Sequence, residues 1–202
     1  MSRMLDEIRQ QPETLARILV SELRHIEKFR GLMGRKKPRL VVLVARGTSD
    51  NAAQFGRYLI EITTGIPVSL AAPSVHTIYG ARVNYKDALV VALSQSGEST
   101  DTNEVLEEAR KAGAVTVGIS NQARSALAGI AEHVFLVRAG REKSVAATKT
   151  YTGQLMILYL VAYALGAKIR IADLEAIPDL AGIVLRVFVF RSRARRCRQR
   201  RR

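Results

Sequence analysis

Five short apolar segments alternate with segments of helical periodicity, and this alternation restricts the fold more than any other feature of the chain. The apolar segments are rich in β-branched residues and bounded by turn residues, which is typical of strands buried on both faces of a parallel sheet. The sequence therefore predicts an α/β fold, a three-layer, doubly wound, five-stranded parallel sheet with right-handed crossovers and helices on both faces. The predicted strands are residues 40–45, 67–71, 88–93, 115–119 and 133–137.

Two predicted helices stand apart from the others. Between Pro12 and Met33 apolar residues recur at helical spacing, so a long helix is expected ahead of the first strand. Residues 148–165 are apolar on nearly every side, which is typical of a buried helix. We divide the chain into an N-terminal helical lead-in at 1–35, an α/β domain at 36–168, and a C-terminal helix and basic tail at 169–202.

The composition argues against several functional classes. Of the 202 residues, 5% are aromatic and none is Trp, so an aromatic stacking platform for single-stranded nucleic acid is not expected. The single cysteine, Cys197, excludes an internal disulfide framework and a cysteine-rich zinc site, and three scattered histidines give no pattern of metal ligands. The glycine-rich dinucleotide motif and the P-loop motif do not occur in the sequence. We therefore expect neither a metal nor a cofactor.

The distribution of apolar residues predicts a protein that neither enters nor crosses a membrane. The first thirteen residues, MSRMLDEIRQQPE, contain acidic side chains and no apolar stretch, unlike a secretory signal. The longest apolar run, Leu155–Leu165, is about half as long as a membrane span. The expected location is the cytoplasm, with no membrane partner.

The net charge of +14 is concentrated at one end of the chain. Residues 186–202, RVFVFRSRARRCRQRRR, hold nine arginines and no acid, and the remaining residues carry only +5. Three alternatives remain open for this tail: a truncated chain or a gene read in the wrong frame, a solvated tail, or an arm for nucleic acid or an anionic surface. Because the rest of the chain has no basic surface pattern, nucleic acid is not the expected partner.

Two loops that follow predicted strands are rich in small hydroxyl residues. The first is Arg46–Ser49, and the second, Ser94–Thr100, has four hydroxyl residues among its seven. Backbone N–H groups at a helix N-terminus, together with the helix dipole, favour an anion such as phosphate. Gly97 permits close approach of the backbone, and Asp101 with Glu104 offers a capping pair. Serine and threonine at helix starts also serve as ordinary N-caps, which is the structural alternative.

Three longer stretches resemble the signatures of the sugar isomerase (SIS) domain. They are GTSDNAAQFGRYLIE, LSQSGESTDT and EKSVAATKTYTGQL, and the opening DEIRQQPE is similar to the segment that precedes such domains. The resemblance is greatest to the isomerase half of glutamine–fructose-6-phosphate aminotransferases and to their relatives that lack the glutaminase domain. It covers residues 5–168, and it implies a flavodoxin-like sheet and a phosphorylated hexose or hexosamine as the ligand.

The resemblance also implies which residues contact the ligand. Ser99 stands where the family usually has Thr, and Arg46 stands where it often has Cys, so Arg46 either reaches the phosphate or only covers the loop. Lys149 belongs to the third signature, where a buried stem with its ammonium group on a loop carbonyl is the expected arrangement. The implied substrate-binding residues are Thr48, Ser49, Ser94, Gln95, Ser96, Ser99 and, through its backbone, Val145.

The remaining ionisable residues favour structural roles. We expect His25 to lie on the exposed surface of the N-terminal helix, His76 to be structural, and His133 to belong to the core. Glu98 lies within the second loop, where an acid next to a phosphate is better suited to bracing the loop than to acting as a base.

The resemblance implies that the catalytic groups are absent from this chain. In the family the basic glutamate, the lysine and the ring-opening histidine come from a second SIS domain or its tail. The expectation is the binding half of an aminotransferase, isomerase or deaminase of amino-sugar metabolism, inactive alone. The alternative is a non-catalytic phosphosugar-sensing module, against which the lack of a three-helix reader in residues 1–35 counts. Exposed apolar surface on the first and last long helices predicts a homo-oligomer.

Overall fold

A computed structural model describes residues 2–199, with side chains described as far as residue 187. Within that range the chain forms one five-stranded sheet in which every pair of neighbouring strands is parallel, in the order β2-β1-β3-β4-β5. The predicted fold is confirmed. The strands are β1 (Leu40–Ala45), β2 (Val68–Leu70), β3 (Ala88–Ser94), β4 (Val115–Ser120) and β5 (His133–Leu136).

The connecting segments form helices on both sides of the sheet. The fourth and sixth helices are single turns, and the others have between 7 and 29 residues. The helices are α1 (Arg3–Arg9), α2 (Gln11–Arg35), α3 (Thr48–Thr64), α4 (Ser74–Thr77), α5 (Thr100–Lys111), α6 (Ala126–Ile130), α7 (Lys149–Ala164) and α8 (Ile171–Gln199).

Alternate residues of the central strands supply two separate apolar cores. On β1, Val41 and Leu43 face a core formed with α2, α3 and α7, whereas Val42 and Val44 face a smaller core that includes Leu106 of α5. All seven residues of β3 are buried, because both faces of this central strand are covered. The near-continuous apolar runs of the sequence therefore correspond to strands enclosed on both sides.

The N-terminal helix α2 belongs to the same core as the sheet. Its side chains Ile18, Ile26 and Phe29 are almost fully buried, and the Phe29 ring lies 5.5 Å from the Phe135 ring of β5 in an edge-to-face arrangement. Aromatic pairs in this geometry stabilise a core slightly beyond their buried area. The helix that precedes the first strand thus covers one edge of the sheet and closes over α7.

The expected exposed apolar patch on α7 is wrong. Every residue of α7 is buried or half-buried, because α2 and α3 pack on either side of it. On α2 the exposed large apolar residue is Val20. The larger exposed stripe lies instead on α8 and consists of Leu180, Ile183, Val184 and Val187.

Most of the basic tail lies outside the described residues. The side chains of residues 188–199, Cys197 among them, and all of residues 200–202 are not described, so the three alternatives for the tail remain open. Within residues 2–199, no helix combines the length and the apolar character that crossing a membrane requires.

Candidate functional site

The first hydroxyl loop joins β1 directly to α3. Gly47 has φ of +61°, a backbone conformation that favours glycine, and it turns the chain so that α3 begins at Thr48. The Ser49 side chain is buried, with 6% of its surface exposed, and Thr48 beside it is exposed. The tight turn therefore brings two hydroxyl groups to the carboxyl end of the sheet at the start of a helix.

The second loop leaves the neighbouring strand β3 and is held by its own side chains. Ser94 Oγ accepts the N–H of Gly97 at 3.0 Å, and Ser96 Oγ accepts the N–H of Glu98 at 3.2 Å. Gly97 has φ of +72°, and a Cβ there would lie 2.2 Å from Ser125 Oγ. Only glycine fits this position without a shift of the loop or of its neighbour.

The helix that follows this loop begins without the predicted capping pair. Ser99 is the N-cap of α5, and its hydroxyl lies 3.0 Å from Thr102 Oγ1. Asp101 does not cap the helix with Glu104, and the prediction is wrong because a partner from another loop competes for its carboxylate: Arg46 Nη2 donates to Asp101 Oδ2 at 3.0 Å. The local sequence pattern gave way to a tertiary contact.

A third loop reaches the same place from the end of β5. Glu142 accepts the N–H groups of Thr148 at 2.7 Å and Lys149 at 3.0 Å, so a carboxylate satisfies the start of α7. Glu7 of α1 accepts the N–H of Ser144 at 3.0 Å and also bonds its hydroxyl. Two carboxylates thus anchor the loop on either side of Val145, which is fully exposed.

These three loops enclose one cavity of about 250 Å³ at the carboxyl end of the sheet. Such a position, beside the strand at which the order of a doubly wound sheet reverses, is where ligands bind in this class of fold. The structure brings all seven predicted binding residues together around this space. The lining residues are Arg46, Thr48, Ser49, Leu93, Ser94, Gln95, Ser96, Ser99, Val145, Ala147, Thr150 and Gln154.

The cavity is polar but carries little formal charge. Helices α3 and α5 both begin at its wall, so their positive dipole ends face it. Arg46 is the only charged residue in the lining just given, and its side chain is about half exposed. Hydroxyl groups, amides and helix N-termini of this kind can bind a phosphate without burying a lysine.

Other ionisable residues take the structural roles expected of them. Lys149 is 3% exposed, and its ammonium group donates to the Arg141 carbonyl at 2.9 Å and to Gln10 Oε1 at 2.7 Å, which confirms the predicted buried stem. Glu98 accepts the N–H of Ala126 at 3.2 Å, the bracing role expected for it. Within the described residues, no cluster of side chains has the composition of a metal site.

The three histidines also lie away from the cavity. His25 is exposed next to Glu22, and His76 is buried with Nε2 2.8 Å from the Tyr85 hydroxyl, as expected. Burial lowers the pKa of His133, whose ring lies 5.1 Å from that of Phe29, in agreement with a place in the core. Burial also raises the pKa of Tyr85.

Comparison with known proteins agrees with this geometry. Residues 35–164 match the SIS domain family, and the chain belongs to it. It is 36% identical to a glutamine–fructose-6-phosphate aminotransferase (isomerizing) of Symbiobacterium thermophilum, over 90% of this chain and 32% of that protein. A proposed phosphosugar isomerase from Silicibacter pomeroyi superposes with a TM-score of 0.84 at 34% identity, over 91% of this chain and 56% of that one.

Further structures extend the likeness. The C-terminal domain of glucosamine-fructose-6-phosphate aminotransferase from Francisella tularensis has a TM-score of 0.73 at 27% identity, over 92% of this chain and 54% of that one. Two more distant proteins share the fold alone and were solved with phosphosugars, one from Escherichia coli and the other Vibrio vulnificus NanR with ManNAc-6P. The chain therefore spans about a third of the curated aminotransferase and about half of the solved isomerase chains.

Two polar residues of the cavity wall were not predicted from the sequence. Thr150 and Gln154 lie four residues apart on α7, and both are buried at 1% exposure. Polar side chains one helical turn apart on an otherwise apolar helix share a face. That spacing within the TKTYTGQL stretch was the available signal, and it marks the side of α7 that lines the cavity.

Proposed function

We propose that this chain binds a phosphorylated hexose or hexosamine in the cavity formed by the three loops. One observation carries the proposal: hydroxyl groups from two loops meet at the N-termini of two helices around a single small space. This arrangement supplies neutral donors and two dipole ends to an anion. Membership in the SIS family and the phosphosugars held by two proteins of the same fold support the same class of ligand.

The second loop is the part best suited to the phosphate. Ser94, Ser96 and Ser99 surround the turn at Gly97, and Gln95 adds an amide. Hydrogen bonds from hydroxyl groups to a phosphate are charge-assisted, and each contributes on the order of 1.5–3 kcal/mol. We assign Thr48 and Ser49 to further contacts with the phosphosugar.

The third loop completes the proposed site through its backbone. Val145 points its side chain to solvent, so its contact with the sugar would come from the main chain. The two carboxylates that anchor this loop, Glu7 and Glu142, would hold that main chain in position without touching the ligand.

The cavity wall in this chain supplies binding groups but no acid–base pair. Among its lining residues there is no carboxylate, imidazole or ammonium group. Moving a proton between neighbouring carbons of a sugar requires such a group within hydrogen-bond reach. We therefore propose that the chain contributes phosphosugar binding to aminotransferase, isomerase or deaminase chemistry, and that the catalytic groups belong to a second SIS domain.

Titration calorimetry beside a coupled activity assay tests both parts of this proposal. We expect glucosamine 6-phosphate and fructose 6-phosphate to bind, glucosamine and fructose to bind far more weakly, and no turnover at saturating ligand. Ser96→Ala should weaken binding of the phosphosugars by roughly tenfold or more, through one lost charge-assisted bond. Equal affinity for phosphorylated and free sugars would refute the phosphate site, and turnover would refute the absence of catalytic groups.

The sensing alternative has less support than a function derived from the enzymes. Ahead of the first strand the described chain forms α1 and α2, and α2 packs into the core of the sheet rather than forming a separate reader domain. A cytoplasmic location stays a prediction from the sequence.

Self-association is proposed for a different surface from the one first expected. The stripe Leu180, Ile183, Val184 and Val187 recurs at the spacing of one helix face, and each side chain is about half exposed or more. A helix face of this kind normally packs against another surface. We propose that two copies pair through this stripe of α8.

A further inference from the structure

Ser49 and Gln154 form a buried hydrogen bond between two walls of the cavity. Gln154 Nε2 on α7 donates to Ser49 Oγ on α3 at 2.9 Å, across 105 residues of sequence. The side chains are 1% and 6% exposed, and both line the cavity. A hydrogen bond shielded from water in this way holds its two groups in defined orientations.

The direction of this hydrogen bond fixes where the Ser49 proton points. A serine hydroxyl has one proton to donate and two lone pairs that accept. Because Gln154 donates to Ser49 Oγ, the Ser49 proton is directed elsewhere, and no acceptor for it occurs among the described residues. The cavity is the space next to this hydroxyl, so the Ser49 proton is available to a ligand there.

The other end of the Gln154 amide is an acceptor. Gln154 Oε1 has no hydrogen-bond partner within residues 2–187, and it is not among the polar atoms that are sealed from solvent without a partner, of which Asn103 Oδ1 is the one found there. The space accessible to Oε1 is the cavity that Gln154 lines. A donor on Ser49 and an acceptor on Gln154 therefore lie side by side.

We propose that Ser49 and Gln154 together bind a hydroxyl group on the sugar part of the ligand, with Gln154 also setting the direction of the Ser49 proton. A phosphate dianion offers only acceptors, so it cannot use the Gln154 oxygen, whereas a sugar hydroxyl both donates and accepts. Gln154 is thus a specificity-determining residue that distinguishes a sugar phosphate from phosphate alone. The inference rests on the proposed phosphosugar function.

Gln154→Met keeps the length of the side chain and removes both polar atoms, and Gln154→Glu keeps the shape and removes the donor. In either variant we expect glucosamine 6-phosphate and fructose 6-phosphate to bind about tenfold more weakly, by loss of hydrogen bonds to the sugar. The affinity for inorganic phosphate, followed by NMR titration, should change less than about twofold. The matched control Ser96→Ala should weaken the binding of both kinds of ligand.

A double-mutant cycle distinguishes positioning from simple packing. If Gln154 acts with Ser49, the combined variant Ser49→Ala with Gln154→Met should bind phosphosugar about as weakly as the weaker single variant. Additive losses, or an equal loss of phosphosugar and inorganic phosphate affinity, would overturn the inference. Should Gln154→Met not fold, Ser49→Ala alone tests the same selectivity, because it removes the donor and leaves the amide.

Failure of the underlying function has a separate signature. If the unmodified chain binds inorganic phosphate and phosphosugars with equal affinity, no sugar hydroxyl is recognised and this inference is overturned while an anion site remains. If it binds neither, the phosphosugar function and this inference are both refuted.

Discussion

Arg46 Nη2 lies 3.0 Å from Asp101 Oδ2, and this contact joins the end of β1 to the first turn of α5 at the rim of the cavity. The two side chains are 53% and 45% exposed, so the ion pair contributes at most about 1 kcal/mol to stability. Its larger effect concerns the charge near the cavity. An unpaired Asp101 carboxylate at the start of α5 would repel an anionic ligand, and Arg46 neutralises it.

We therefore expect Arg46→Ala to weaken phosphosugar binding by a few-fold to about tenfold, with a larger effect at low salt because the charges are partly exposed. The combined variant Arg46→Ala with Asp101→Asn should recover much of that loss. Calorimetry at two salt concentrations gives the comparison. If the double variant binds as weakly as Arg46→Ala alone, Arg46 contacts the ligand directly rather than shielding Asp101.

Gly97→Ala should disrupt the second loop. The residue has φ of +72°, and the added Cβ would meet Ser125 Oγ at 2.2 Å and its Cβ at 2.4 Å. Backbone strain and overpacking together should lower the free energy of unfolding by about 2–4 kcal/mol and abolish phosphosugar binding. Gly34→Ala is the control, because nothing lies within 4 Å of a Cβ there and it should be neutral or slightly stabilising. Urea unfolding measures both, and an unchanged Gly97→Ala variant would contradict the described loop.

The contribution of Glu7 to stability should depend on pH. Burial alone raises the pKa of Glu7, but the Ser144 hydroxyl, the N–H groups of Lys143 and Ser144 and the charge of Lys149 lower the pKa below its ordinary value. A carboxyl group with a lowered pKa in the folded state stabilises the fold at pH values above its unfolded pKa of roughly 4.3. That stabilisation is lost as the pH falls through the folded pKa.

Glu7→Gln should accordingly lower the free energy of unfolding by about 1–3 kcal/mol at pH 7, because the loop donors lose a charged acceptor. The difference from the unmodified chain should stay constant down to about pH 5 and shrink below it. Urea unfolding at pH 7, 5 and 3.5 gives this difference. Glu13→Gln, on the exposed side of α2, should change stability by at most about 0.5 kcal/mol. A Glu7 effect that grows on acidification would have the wrong sign.

Charged substitutions on α8 should prevent pairing of two copies. Val184→Asp places a carboxylate in the centre of the exposed stripe, where it would have to be desolvated in a dimer. Sedimentation velocity at micromolar concentration should then show a monomer, whereas the unmodified chain should associate. Ile62→Asp on α3, which is 78% exposed and lies outside the stripe, is the matched control. Loss of association with Ile62→Asp instead would place the interface on α3.

Local patterns in the sequence were sufficient to predict the sheet. Runs such as Ala88–Ser94 are apolar throughout because both faces of the strand are covered, and turn residues mark their ends. The two hydroxyl loops followed from the same reasoning, since the carboxyl ends of parallel strands meet at one edge. Short elements were less exact: the strand expected at 67–71 covers Val68–Leu70, and the one expected at 133–137 ends at Leu136.

Contacts between distant segments could not be predicted in the same way. The bond between Gln154 and Ser49 depends on how α7 packs against α3, and no periodicity encodes that packing. The pairing of Asp101 with Arg46 overrode a local capping pattern for the same reason. The apolar surface of α7 was expected to be exposed because its coverage by α2 and α3 is a tertiary property.

Glu7 and α2 lie outside residues 35–164, yet the third loop and α7 depend on them. Gly153 of α7 lets Ile18 and Val137 approach so closely that an added Cβ would lie 3.0 Å from one and 2.4 Å from the other. The boundary at which the family likeness begins is therefore not a boundary of folding. A shortened chain of residues 35–164 would retain the strands and both hydroxyl loops, but α7 would lose its cover and the backbone around Val145 would lose its anchor on Glu7.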